Sequence, residues 1–207
     1  MRPAPALSGA NRLEAFSDGV FAIIVTLLIF EIKVPQLTTL DNATVGAELA
    51  RLAPKLISFA VSFFTLAIFW VNHHHFFHAI THSDWRLLWH NNLLLFWLTI
   101  VPFTTAFIGD YPTQPLVVAL YAFGMGMAAL SFSLMGKYVF FTSALMSPTI
   151  SMDERRAEFR RSLVGTGMYV FATLCAFVFV YLSLLIMVLI PIFYVVPGLV
   201  REAQPES

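Results

Sequence analysis

"RLEAFSDGVFAIIVTLLIFEI", residues 12–32, decides the fold. From Val20 to Phe30 it is apolar for eleven residues with only Thr26 inside, yet Arg12, Glu14, Ser17 and Asp18 crowd its head. A helix that crosses a bilayer needs about 20 mostly apolar residues. The stretch from about Phe16 to Val34, closed by Pro35, reads as the first such span.

Working outward, the whole chain has the same character. Of its 207 residues 58% are hydrophobic and only 12% charged, about half the charge of an ordinary soluble domain. The twelve basic and twelve acidic side chains cancel, so no overall field favours nucleic acid, and none is expected as a partner. A single cysteine, Cys175, excludes a disulfide framework or a multi-cysteine metal site. The opening MRPAPALSGA has no apolar core and does not read as a cleaved signal peptide.

Six spans are expected in an all-α integral membrane domain covering 1–207: 16–34, 54–80, 87–108, 115–141, 163–180 and 183–200. The last two come from one apolar run of 38 residues, Leu163 to Val200. At about 1.5 Å per residue that is nearly twice the hydrocarbon thickness, so it must turn, and the turn is placed near Tyr181–Ser183. An even number of spans puts both termini on one side. Nine of the twelve basic residues share that side: Arg2, Arg12, Arg86, Lys137, Arg155, Arg156, Arg160, Arg161 and Arg201. Basic residues remain inside, so both termini are expected in the cytoplasm, the 151–161 stretch SMDERRAEFRR being a charged connector there. Trp85 and Trp89 flank a cytoplasmic link, as an interfacial aromatic belt requires. Gly124, Gly126, Gly165 and Gly167 are expected to permit close helix packing.

On a helical wheel of about 100° per residue, Phe16, Gly19, Leu27 and Phe30 fall within about 40° of Ile23, and Thr26 about 60° away. Ser17 and Asp18 lie on the other side. Asp18 has two readings on spacing alone: a cap that favours the positive end of the helix dipole, or a carboxylate held against neighbouring helices for function.

Several motifs then occur in order. Arg12, Phe16, Ser17, Asp18 and Gly19 form R-x-x-x-F-S-D-G; FWVNHHHFFH (69–78) carries Trp70 and His73–His75; LLWHNNLLLFWLTIVPFTTAFIGDYP (87–112) carries Asn91, Pro102, Phe103, Thr105 and Gly109–Pro112. This pattern resembles the transmembrane-protein-175 family of potassium channels, closely over the first half of the chain. The resemblance implies a bacterial single-repeat member, a potassium channel assembled as a homotetramer with four copies of helix one lining a central pore. It implies a hydrophobic constriction at the residue five beyond the family's Asp, here Ile23, followed by Leu27 and Phe30. Thr26 would offer the one polar ligand along that face. Arg12, Phe16, Ser17, Asp18, Gly19, His74, His75 and Asn91 would anchor the pore helix in its rotation. Nothing resembles the TVGYG loop of carbonyl-lined filters, so selectivity for potassium over sodium is expected to be weak.

HHHFFHAITH (73–82) holds five of the six histidines. His74 and His78 are spaced i, i+4, and His75, His78 and His82 i, i+3, i+7, spacings that can ligate a metal. Three roles stand open: structural hydrogen bonding, pH sensing and metal binding. A histidine-metal membrane oxidoreductase would need further histidine boxes and carboxylates, and only His90 remains outside the cluster. A secondary transporter would need broken helices and charge near mid-membrane, and the spans are nearly charge-free. No nucleotide, zinc-protease or serine-hydrolase motif occurs. The expectation is therefore a non-enzymatic, cofactor-free channel of a plasma (inner) membrane, surrounded by lipid and passing potassium ions down their gradient, with no metal site assigned.

Overall fold

A computed structural model describes residues 9–202, with side chains through Tyr194. The chain forms α1 (Gly9–Phe30), α2 (Asn42–Arg51), α3 (Ala53–His78), α4 (Trp85–Thr99), α5 (Val101–Asp110), α6 (Pro115–Lys137), a π-helical turn (Tyr138–Thr142), α7 (Met152–Cys175) and α8 (Val180–Glu202). Among the described residues the one β-type pairing is an isolated bridge between Ile80 and Met146. Arg2 and the side chain of Arg201, counted above for orientation, lie outside the described residues.

Among the described residues, four stretches are long and apolar enough to cross a membrane: Gly9–Phe30, Ala53–His78, Trp85–Asp110 and Pro115–Thr142. The third joins α4 and α5. Pro102 has no N–H to donate to a carbonyl four residues back, and the helix is interrupted at Ile100 just before it. α7 carries its charge in its first half, and the described apolar part of α8, Val180–Tyr194, is shorter.

α6 is the centre of the bundle. It packs on α4, α5, α7 and α8, and buries Val118, Ala122, Met125 and Ala128 completely. Gly126 permits a close approach, since a Cβ there would stand 3.2 Å from Tyr169 Cβ on α7. Gly165 on α7 likewise lies against the Tyr194 hydroxyl of α8. A Cβ at Gly124 or Gly167 would meet nothing within 4 Å, so close packing does not explain those two glycines. α1 lies at the edge, against α3, α4 and α5.

Four boundaries differ from the sequence expectation. α1 begins at Gly9 rather than Phe16, because Ala10, Leu13 and Ser17 continue its buried stripe a further two turns. It ends at Phe30, before charged Glu31 and Lys33, so Val34 is not part of it. The connector 151–161 is helical: Ser151 and Glu154 close a capping box that starts α7, and the charged residues form its first turns. The last turn lies at Ala176–Phe179, not Tyr181–Ser183. Ser183 is completely buried in the first turn of α8, and its hydroxyl donates to the Ala172 carbonyl across 2.8 Å. That polar side chain joins α7 to α8 and does not mark a loop. The short helix α2, capped by Asp41 accepting from the Thr44 N–H, has no counterpart among the expected spans.

Candidate functional site: an anchored helix with an open face

The two sides of α1 differ sharply. Leu13, Ser17, Phe21, Ile24 and Leu28 are buried at helical spacing against the bundle. The opposite side carries Phe16, Ile23, Leu27 and Phe30, exposed at 57%, 60%, 45% and 73%. Gly19 and Thr26 lie on that open side too. Thr26 donates its hydroxyl hydrogen to the Ile23 carbonyl of its own helix at 2.9 Å, which leaves the oxygen lone pairs unspent. This side therefore offers a column of large apolar groups with one hydroxyl among them.

The buried side is fixed by polar groups at its head. Ser17 donates to the Leu13 carbonyl at 2.9 Å. The Asn91 amide of α4 donates to the Ser17 oxygen, again at 2.9 Å. The Asn91 carbonyl oxygen meets Nε2 of His73 on α3 at 2.9 Å, so that nitrogen carries the proton. All three side chains are fully buried. His73 lies between Phe77, stacked at 4.4 Å between centroids, and the edge of Phe21. One short chain of hydrogen bonds thus ties α1, α3 and α4 together in an apolar setting.

A second, more accessible set lies beside it. Trp70 donates its indole N–H to Asp18 at 2.9 Å. Its ring stacks on His74 at 5.8 Å. His74 Nδ1 lies 3.0 Å from the Glu14 carboxylate, and Nε2 of His74 lies 3.0 Å from Nε2 of His78. The partner of Asp18 is thus a neutral indole.

The expected anchor residues therefore separate. Ser17, Asp18, His74 and Asn91 meet partners across helices. Arg12 is exposed and makes no hydrogen bond or ion pair among the described residues. Phe16 and Gly19 stand on the open face. His75 points to another side of α3, where it lines a cavity of about 740 Å³ between α3, α6, α7 and α8, and it makes no anchoring bond. The inward histidine is His73. It continues the buried stripe of Ser62, Leu66 and Phe77, a periodic signal that also distinguishes it from its two neighbours in sequence. Glu14 and Trp70 carry no anchor role in the sequence reading, although Trp70, His74 and His78 fall at successive four-residue intervals.

Residues 12–102 match the family model described as "Endosomal/lysosomal potassium channel TMEM175". A potassium channel of Chamaesiphon minutus is 34% identical over 198 residues, covering 94% of this chain and 97% of its own. A potassium channel of Streptomyces collinus is 33% identical over 208 residues, covering 97% and 100%. The crystal structure of a lysosomal potassium-selective channel TMEM175 homolog from Chamaesiphon minutus superposes with a TM-score of 0.81 at 32% identity, over 91% of this chain and 97% of that one.

Proposed function

We propose, from the premise that this chain belongs to the TMEM175 channel family, that it is a potassium-permeable channel in which α1 of four subunits lines the pore. The observation that carries this reading is the open face of α1. Phe16, Ile23, Leu27 and Phe30 are exposed in the single subunit, while the other side of the same helix is anchored by three fully buried polar side chains. A helix facing only lipid has no need of a fixed rotation. A helix whose side chains must meet their symmetry copies does.

In this arrangement Ile23 forms the narrowest apolar ring, with Leu27 and Phe30 as rings beyond it, and ions are stopped by dewetting. Thr26, with unspent lone pairs, supplies the polar ring. Four hydroxyls replace a hydration shell poorly compared with a carbonyl cage, so potassium is favoured only weakly over sodium. Six membrane crossings per subunit, with α7 and α8 supplying the last two, put both termini in the cytoplasm of a plasma (inner) membrane.

The test is flux from liposomes holding a potassium gradient. The wild-type protein passes potassium, and Ile23→Asn, which wets the constriction, raises the rate. A silent wild type together with an unchanged Ile23→Asn variant removes α1 from the pore. Mass measurement of the detergent-solubilised complex gives four copies; a monomer or dimer overturns the assembly.

A further inference from the structure

We propose that His74 and His78 form a site for an exchangeable transition-series divalent cation such as zinc, with Glu14 holding His74 from behind. His74 and His78 are one helical turn apart on α3, and their Nε2 atoms converge to 3.0 Å while the ring centroids stand 4.3 Å apart. A tetrahedral ion with bonds of about 2.0–2.1 Å separates two imidazole nitrogens by roughly 3.3 Å. The pair needs to open by only a few tenths of an ångström to admit one.

The protons are already arranged for it. Glu14 accepts from His74 Nδ1 at 3.0 Å, so in the neutral ring that nitrogen holds the hydrogen and Nε2 presents a bare lone pair. The single hydrogen between the two Nε2 atoms belongs to His78. On binding, His78 shifts that hydrogen to its own Nδ1 and gives a second lone pair to the ion. Both ligands stay neutral and no proton is released. A carboxylate behind a ligating histidine fixes its tautomer and increases its basicity, and Trp70 stacked on His74 fixes the ring's other degree of freedom.

The donor set selects the metal class. Two imidazole nitrogens favour Zn²⁺, Co²⁺, Ni²⁺ or Cu²⁺ over Mg²⁺ or Ca²⁺, which take oxygen. His78 is exposed, so water completes the coordination and the ion exchanges with solution. The other histidines are not arranged this way. His73 is buried with Asn91, His82 bonds Thr81, His90 meets its own helix carbonyl at Arg86, and His75 faces the cavity. Among the described residues, Glu14, His74 and His78 are the group whose donor atoms gather within 4.8 Å. Since Glu14 belongs to α1 and both ligands to α3, an ion here ties α1 to α3.

The experiment is Co²⁺ titration of purified, tag-free protein, followed by the visible absorption of the bound ion and by equilibrium dialysis. One Co²⁺ binds per subunit and is displaced by Zn²⁺ but not by Mg²⁺. His78→Ala, at the exposed last turn of α3, weakens binding at least about tenfold, and Glu14→Gln weakens it by about 10-fold. Equal binding by wild type and His78→Ala, or no saturable Co²⁺ binding up to about millimolar concentration, overturns the site. These readouts measure binding alone and do not depend on which helix lines the pore.

Discussion

The Asn91 amide donates to the Ser17 hydroxyl oxygen across 2.9 Å, with neither side chain reaching solvent. Asn91 also meets His73, so one side chain satisfies polar groups on two other helices. Asn91→Leu keeps the branched heavy-atom shape, though two methyl groups are bulkier than the amide, and removes both bonds, leaving His73 Nε2 and the second valence of Ser17 unmatched. Its expected cost is about 1–3 kcal/mol, at the lower end if the denatured chain in detergent finds other partners. Ser17→Ala should cost less, because it removes one partner of Asn91 and leaves the bond between His73 Nε2 and Asn91 intact. Thermal or denaturant unfolding in detergent measures both, and a Ser17→Ala effect larger than that of Asn91→Leu contradicts the hub role of Asn91.

Asp18 meets the Trp70 indole, and what it supplies is an acceptor oxygen. Asp18→Asn retains that oxygen and should leave expression and assembly close to wild type, whereas Asp18→Ala loses it and should destabilise by about 0.5–1.5 kcal/mol. Trp70→Phe should mimic Asp18→Ala, and combining the two should cost little more than either alone. Size-exclusion profiles and melting curves of the wild type, Asp18→Ala, Trp70→Phe and the double variant form the cycle, with Asp18→Asn measured beside it. If Asp18→Asn is as damaging as Asp18→Ala, the negative charge matters rather than the bond.

Much of this architecture is legible in the sequence. The apolar run of α1, its polar head and the contrast between the Ile23 side and the Ser17 side follow from helical spacing, because burial repeats every 3.6 residues whatever the neighbours are. Three consecutive histidines defeat that method locally. They fan over about 200° of helix surface, so His73 is singled out only when the stripe is followed back to Ser62 and Leu66. The turn before α8 differs from its expected place because polarity reads as a loop signal at Ser183, whose hydroxyl instead satisfies the Ala172 carbonyl of the neighbouring helix. Glu154 reads as part of a charged link, although Ser151 three residues earlier is the pairing that starts a helix.

Thr26 separates stability from selectivity. Among the described residues its hydroxyl bonds only the Ile23 carbonyl one turn back on the same helix, and its side chain is exposed in the subunit. Thr26→Val keeps the shape and removes the hydroxyl. The melting temperature should shift little, by the equivalent of less than about 0.5 kcal/mol, while the potassium-to-sodium permeability ratio falls toward one. Reversal potentials under bi-ionic conditions read the ratio directly. An unchanged ratio removes Thr26 from the ion path and leaves any selectivity to other groups on α1.

Asp84 gives the fold a pH dependence outside the membrane spans. It caps α4 by accepting from the Leu87 N–H at 2.8 Å, and it also accepts the Tyr138 hydroxyl from the π-helical turn. Burial pushes its carboxyl upward, but the bonds from the Tyr138 hydroxyl and the Leu87 and Arg86 N–H groups more than offset this, so the net shift is downward from the usual carboxylate value. A depressed folded-state value means that the carboxylate stabilises the fold above the unfolded carboxylate range. That contribution is lost as the pH falls through the lower folded value. An asparagine is nearly as good a cap as an aspartate, so Asp84→Asn isolates the charge and the Tyr138 bond from the cap itself. Near neutral pH the variant should be less stable by about 1 kcal/mol. Below the carboxylate range the wild type carries a neutral acid at this position, so its melting curve should meet that of the variant. Tyr138→Phe should reproduce the neutral-pH loss. Added to both the wild type and the Asp84→Asn variant, it should narrow the gap between them, because the hydroxyl that depends on the charge is gone. A constant difference between wild type and Asp84→Asn from neutral to acid pH would show that the clasp between the α4 cap and the π-helical turn owes nothing to the carboxylate charge.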